Sequence, residues 1–350
     1  MRKISIGIFL MLIIGMLTAC DGEIHDRMLI RGIGVDYEGG FYKISVRCEN
    51  VSKDKEELLN SEGETVFDAL SALSLKSGSR QMYADSYYII FGKETLKAGI
   101  EGCLDFFIRY FKAMPTEQLF VAEGRASDVL SLKKDDELIP SDFIRNLKNS
   151  SKNSGKTISI NLMELISLTD SPAETALIPR LSIKDEELLL DGAYVLKNYK
   201  AVSLLEGDAI TGLLIARGEI GLSSVTAESD GYKFTLELNK ADSKLTLDTE
   251  NNKAYLGVKV KASIASMSFN GTIREEKLNE MEKAASMKIE EYIHKALTSY
   301  KKEADLLGIN YILYRENKLA EMNLKDIEIN VKAETEIDKT GQEERPDTEK

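Results

Sequence analysis

Leu17-Thr18-Ala19-Cys20 is the stretch in which residue type, spacing and flanks together specify a covalent chemistry. Small residues precede the cut site, as a signal peptidase requires, and a cysteine follows it directly, the pattern of a bacterial lipobox. The Cys20 sulfur would take a diacylglyceryl group, and cleavage would leave Cys20 as the new N-terminus. Met1-Arg2-Lys3 supplies the positive start, and Ile4 to Met16 the apolar run. That run is shorter than the roughly 20 residues of a spanning helix. A plain secretory signal and a retained signal anchor are the competing readings. The first leaves the alignment of all three parts to chance; the second meets Asp21 and Glu23 just past a short run. Two acyl chains make a stable anchor where one holds only marginally.

The other candidate chemistries are weaker. There are two histidines, His25 beside Asp21, Glu23 and Asp26, and His294 off the apolar stripe of a helix. Metal sites want two or three His or Cys at close spacing, so no metal is expected. Gly32-Ile33-Gly34 lacks the third glycine of a dinucleotide loop and precedes a strand instead of a helix. Asn153-Ser154-Gly155-Lys156 lacks the leading glycine of a phosphate-binding loop. Ser131-Leu132-Lys133-Lys134 and Lys339-Thr340-Gly341 echo a penicillin-recognising serine enzyme. The third element of such an enzyme is missing, and the second string is read as part of a disordered tail. Asp135-Asp136-Glu137 and Asp185-Glu186-Glu187 lack the glycine and spacing of a calcium loop. No catalytic residue, cofactor or enzymatic activity is therefore expected.

Residues 27–37 read as a strand and Phe41 to Glu49 as its antiparallel partner. In the latter, Tyr42, Ile44, Val46 and Cys48 take one face, and Lys43, Ser45, Arg47 and Glu49 the other. Residues 52–63 read as a polar loop, Thr65 as a helix cap, Met82 to Phe91 as a strand and 95–112 as helical. Residues 141–170 read as helical around a polar loop at 149–156. A strand near 176–183, a hairpin over 188–205 turning near Asn198, and a short helix from Asp208 to Gly218 follow. Asp230-Gly231 marks a hairpin, Glu275 to Glu303 a long amphipathic helix, and 327–333 a last strand. Cys48 and Cys103 read as two buried thiols.

This pattern is α+β, with mixed or antiparallel sheets flanked by helices and no regular strand–helix alternation. The expected division is a signal peptide at 1–19, three domains at 20–138, 139–222 and 223–337, and a polar tail at 338–350. The chain has 350 residues and a net charge of −12. So acidic a chain disfavours nucleic acid and adsorption to anionic headgroups by a polybasic patch. The combination leaves two non-enzymatic roles, a subunit of a membrane-bound receptor complex or an extracytoplasmic solute-binding lipoprotein.

The order of segments resembles the Ger(x)C family, the C-subunit lipoproteins of nutrient germinant receptors in spore-forming bacteria. Leu29 to Asp36 is similar to the family's G-I-G-x-D strand, and Gly63-Glu64-Thr65 to the segment before its first helix. The strand Tyr83 to Gly92 and the helix ending Phe107-Ile108-Arg109 continue the likeness, with Tyr110 in place of an acidic residue. Gly192 to Lys197 and Leu204 to Leu214 match a hairpin and helix; Asp305-Leu306-Leu307-Gly308 matches a D-x-F-G motif with Leu307 for Phe. The tryptophans of many members are absent, and Asp21 stands where one often follows the cysteine. The resemblance implies a three-domain α+β protein on the outer face of the inner spore membrane. It implies membrane-embedded A and B subunits as partners and a part in nutrient-triggered germination. It carries over one functional position, the lipidated Cys20.

Overall fold

A computed structural model describes residues 27–50, 55–77, 80–83, 86–109, 115–268, 273–299, 304–319 and 321–339. The elements run β1 (Arg27–Glu38), β2 (Phe41–Asn50), β3 (Lys55–Gly63), α1 (Val66–Ser77), β4 (Arg80–Met82), β5 (Tyr88–Gly92), α2 (Lys93–Ala98) and α3 (Glu101–Arg109). There follow β6 (Gln118–Ala122), α4 (Ala126–Leu130), β7 (Lys133–Lys134), β8 (Glu137–Leu138), α5 (Ser141–Asn146), α6 (Lys148–Ser154) and α7 (Leu162–Thr169). Then come β9 (Thr175–Lys184), β10 (Glu187–Lys197), β11 (Lys200–Leu205) and α8 (Asp208–Arg217). The chain continues with β12 (Ser223–Ser229), β13 (Tyr232–Asp248), β14 (Lys253–Met267), α9 (Glu275–Ser299), α10 (Ile309–Arg315) and β15 (Glu328–Lys339).

The α+β class is as expected. Among the described residues nine strands form one mixed sheet, in the order β11-β10-β9-β6-β5-β1-β2-β3, with β4 beside the start of β1. The centre is parallel: β5 pairs β1 on one side and β6 on the other, and β6 pairs β9. Central parallel strands are covered on both faces and read as unbroken apolar runs. In β5, Ile89 and Phe91 join the core under α1, α2, α3 and α7, while Tyr88 and Ile90 join a second core under α4 and α5. The boundary expected near 138 falls within this sheet, because β6 and β9 lie side by side.

Several expectations change. Residues 55–63 form the edge strand β3 and not a loop; its two faces are both half-exposed, so no alternation marks it. The single strand expected at 82–91 is two short ones, β4 and β5, both parallel to β1. The helices expected over 95–112 are α2 and α3, separated at Gly99, which has φ +110. Residues 149–154 are helical within α6. Pro179 lies inside β9, where β10 bulges between Leu190 and Ala193, a site that tolerates a missing N–H.

Ser223 opens a four-stranded sheet ordered β12-β13-β14-β15. Helix α9 covers one face through the expected stripe of Leu278, Met281, Ala285, Ile289, Tyr292 and Ala296. It also guards the sheet's edge. Backbone N–H groups of Ala333, Thr335 and Ile337 on β15 donate to Glu290 Oε1, Ser286 Oγ and Glu282 Oε1, each at 2.9 Å. Four residues of helix rise about 6 Å and two residues of strand about 6.6 Å, so the rows match. Helix α8 is buried nearly all round, between Leu177, Ala193 and Val195 of the large sheet and the α9 face of the small one. At Gly212 an added Cβ would lie 2.1 Å from the Tyr292 carbonyl oxygen, so this crossing needs a glycine.

Candidate functional site

Cys20 and His25 lie outside the described residues. The described residues begin at the start of β1. Arg27 begins β1, and Arg27, Met28 and Leu29 pair with Arg80, Gln81 and Met82 of β4. Asn50 of β2 and Lys55 of β3 stand at the same end of the sheet.

The motif residues between the two sheets act structurally. Gly32 and Gly34 are not a phosphate loop; they let neighbouring side chains cross β1. A Cβ on Gly32 would meet the Tyr88 ring at 2.1 Å, and one on Gly34 would meet Leu130 Cδ1 at 2.7 Å. Asp36 accepts from the N–H groups of Ala126 (2.8 Å) and Ser127 (3.0 Å) at the start of α4. A carboxylate thus fills the spot that a ligand anion would take at a helix N-terminus. Asp305 repeats the device, accepting from Ile309 (2.8 Å) and Asn310 (2.7 Å) of α10 while its own N–H donates to Thr175 Oγ1 (2.9 Å). Burial raises the Asp305 pKa, and the N–H groups of Asn310, Ile309 and Gly308 offset part of that.

Two buried ionic groups escaped the reading of the sequence. Arg47, assigned there to a polar face, is fully buried, because α4, Ile139 and the start of α5 cover that side of β2. Its guanidinium donates to Glu56 Oε2 (2.5 Å), Leu130 O (2.8 Å) and Ile139 O (2.5 Å). Glu56 also accepts from Ser141 Oγ (2.8 Å), which lies 3.1 Å from the Tyr88 hydroxyl. Arg180 meets Glu206 at 2.8 Å, Asp191 at 3.0 Å and Glu123 at 3.6 Å. Burial opposes the Arg180 charge, but Asp191, Glu206 and Glu123 outweigh it and hold its pKa above the ordinary value. An alternating pattern shows a solvated and a buried face; it has no mark for a charge that a distant segment covers.

The remaining candidates separate. Ser131 donates to the Asp128 carbonyl at the end of α4, whereas Lys339 ends the edge strand β15 of the other sheet; the expectation that its string lies wholly in a tail is corrected. Gly155 closes α6 in a left-handed conformation, so Lys156 follows a helix instead of opening one. Asp135, Asp136, Asp185 and Glu186 all have positive φ and make hairpin turns. His294 is exposed on α9. Cys48 and Cys103 are free and buried; burial pushes their thiols up to about 11 and about 12. Among the described residues no group of three or more His, Cys, Asp or Glu could hold a metal ion, and no helix is long and apolar enough to cross a membrane.

Among the described residues, two open clefts stand out. One of about 530 Å³ runs between β12 and α9, past Thr226, Met287 and Glu291. Another of about 400 Å³ lies between Thr157–Ser159 and the end of α8, with Glu219 as its only ionisable side chain. The first is lined by charged side chains, Glu228, Lys233, Lys288 and Glu291.

A family model described as the spore germination protein N-terminal domain matches residues 22–183, and one described as spore germination B3/GerAC-like, C-terminal, matches 191–341. Spore germination protein KC of Bacillus subtilis (strain 168) is 22% identical, over 99% of this chain and 98% of that protein. Spore germination protein A3 of the same organism is 22% identical, over 68% of this chain and 67% of its own length. The crystal structure of the GerBC protein shares the fold, with a TM-score of 0.57 at 17% identity, covering 88% of this chain and 97% of that one.

Proposed function

The chain belongs to the Ger(x)C family of spore germination proteins, and from that premise we propose that it is the lipid-anchored C subunit of a nutrient germinant receptor. The observation that carries this is positional. The two family matches span 22–341 and begin two residues after the lipobox cysteine. On this reading Cys20 bears the diacylglyceryl group, with palmitate as a usual acyl chain. The globule is then held at the outer face of the inner spore membrane, beside membrane-embedded A and B subunits. A tether makes encounters with those subunits effectively intramolecular, so weak contacts suffice. The subunit works through such contacts and makes or breaks no bond of its own.

The test is Cys20→Ala. It should move the protein from the membrane to the soluble fraction and slow nutrient-triggered germination at unchanged expression. Retention in the membrane together with a normal germination response would overturn the proposal.

A further inference from the structure

The end of the large sheet where β1 starts carries apolar side chains that the fold leaves in water. Leu75, near the end of α1, is 88% exposed, and Ile108, near the end of α3, is 53% exposed. At the other end of α1, Phe67 is 54% exposed, with its ring 6.3 Å from that of Phe106. The Phe106 ring lies 5.9 Å from that of Tyr83, the residue after β4. Strand β4 pairs with the first residues of β1, so the cluster is contiguous with the point where the leader enters.

Six residues lie between Cys20 and Arg27, making seven Cα–Cα steps. Fully extended, they reach at most about 25 Å. An acylated Cys20 therefore holds this end of the sheet within about 25 Å of the lipid surface.

We propose that the rim carrying Leu75 and Ile108 rests on the lipid surface, its apolar tips among the upper acyl groups, and so sets the orientation of the subunit on the membrane. The inference rests on the tether in the proposed function.

The chain has no tryptophan, so single-tryptophan variants report without background. A chain beginning at Cys20 is coupled to a maleimide lipid in phosphatidylglycerol–phosphatidylethanolamine vesicles; the burial of Cys48 and Cys103 directs coupling to Cys20. Leu75→Trp and Ile108→Trp should shift to the blue and be quenched by brominated acyl chains. Tyr255→Trp, on the open face of the four-stranded sheet, should do neither. Absence of quenching at 75 and 108, or equal quenching at all three positions, overturns the proposal. So does a blue shift that appears only when A and B subunits are added and that bromine does not quench, since the rim would then be a protein interface. Because maleimide supplies the tether, a failure of native acylation would show in Cys20→Ala fractionation and leave this result standing.

Discussion

The inner strands of the nine-stranded sheet are covered on both faces, whereas the four-stranded sheet covers one face and gives the other to water. The consequence is visible in where charge goes. In the large sheet Arg47 and Arg180 are enclosed and need several partners each. On the small sheet's open face Lys253–Glu328, Lys261–Glu336 and Lys259–Glu334 pair across β14 and β15 at 3.0, 3.6 and 3.8 Å, in solvent. Exposed pairs of this kind contribute little, while breaking an enclosed pair strands a charge. A two-faced interior tolerates few substitutions; a one-faced sheet tolerates many on its wet side.

The sharpest way to break this contrast is Arg47→Met. Losing one partner of an enclosed ion pair costs about 3–5 kcal/mol. The variant should unfold at markedly lower denaturant, with Glu56→Gln added to Arg47→Met recovering part of the loss. A cost below that of Lys259→Met would remove the distinction between the sheets.

Glycine offers a second, smaller contrast. Gly32→Ala drives a methyl into the Tyr88 ring and should cost about 1–3 kcal/mol, as overpacking does. Tyr88→Leu should relieve the clash in the double variant. Gly257→Ala, on the wet side of β14, has no contact closer than 4.0 Å and should be neutral or slightly stabilising. Chemical denaturation of the three variants compares them directly.

The smallest effect concerns pH. Burial raises the Asp305 pKa above its ordinary 3.8, so the folded chain holds that proton more tightly than the unfolded chain. The associated stability is fully present below 3.8 and is lost as pH rises through the folded value. Asp305→Asn should flatten that part of the stability–pH profile. Glu328 shifts the other way: its side-chain hydrogen bond with Lys253, then that with Asn330, lower its pKa, so its contribution is lost as pH falls. Melting curves from pH 3 to about 7 span the relevant range; an unchanged profile in Asp305→Asn would show that the carboxyl is solvated after all.

How much was legible follows the same contrast. Strands of the small sheet announce themselves, because Tyr232 to Leu238 and Leu256 to Ile264 alternate and Asp230-Gly231 makes the turn, with φ of 51° and 77°. The apolar stripe of α9 was readable for the same reason: one face packs and the other does not. Strand β3 was not, since an edge strand with polar residues on both sides carries no period. Arg47 was assigned to the wrong kind of face because its cover comes from residues 130–141, far along the chain. The motif aspartates could be seen as motifs, but their work, capping α4 and α10, depends on a tertiary approach that spacing does not encode.

The row of Glu282, Ser286 and Glu290 along β15 behaves as a toothed rack. Inserting or deleting one residue between Glu282 and Glu290 would turn the helix beyond that point by about 100° and disengage the remaining teeth. Length is therefore more tightly constrained there than composition. Variants that keep the count but exchange Ser286 for another small acceptor should mesh, while changes in count belong in turns such as the one at Asp230-Gly231.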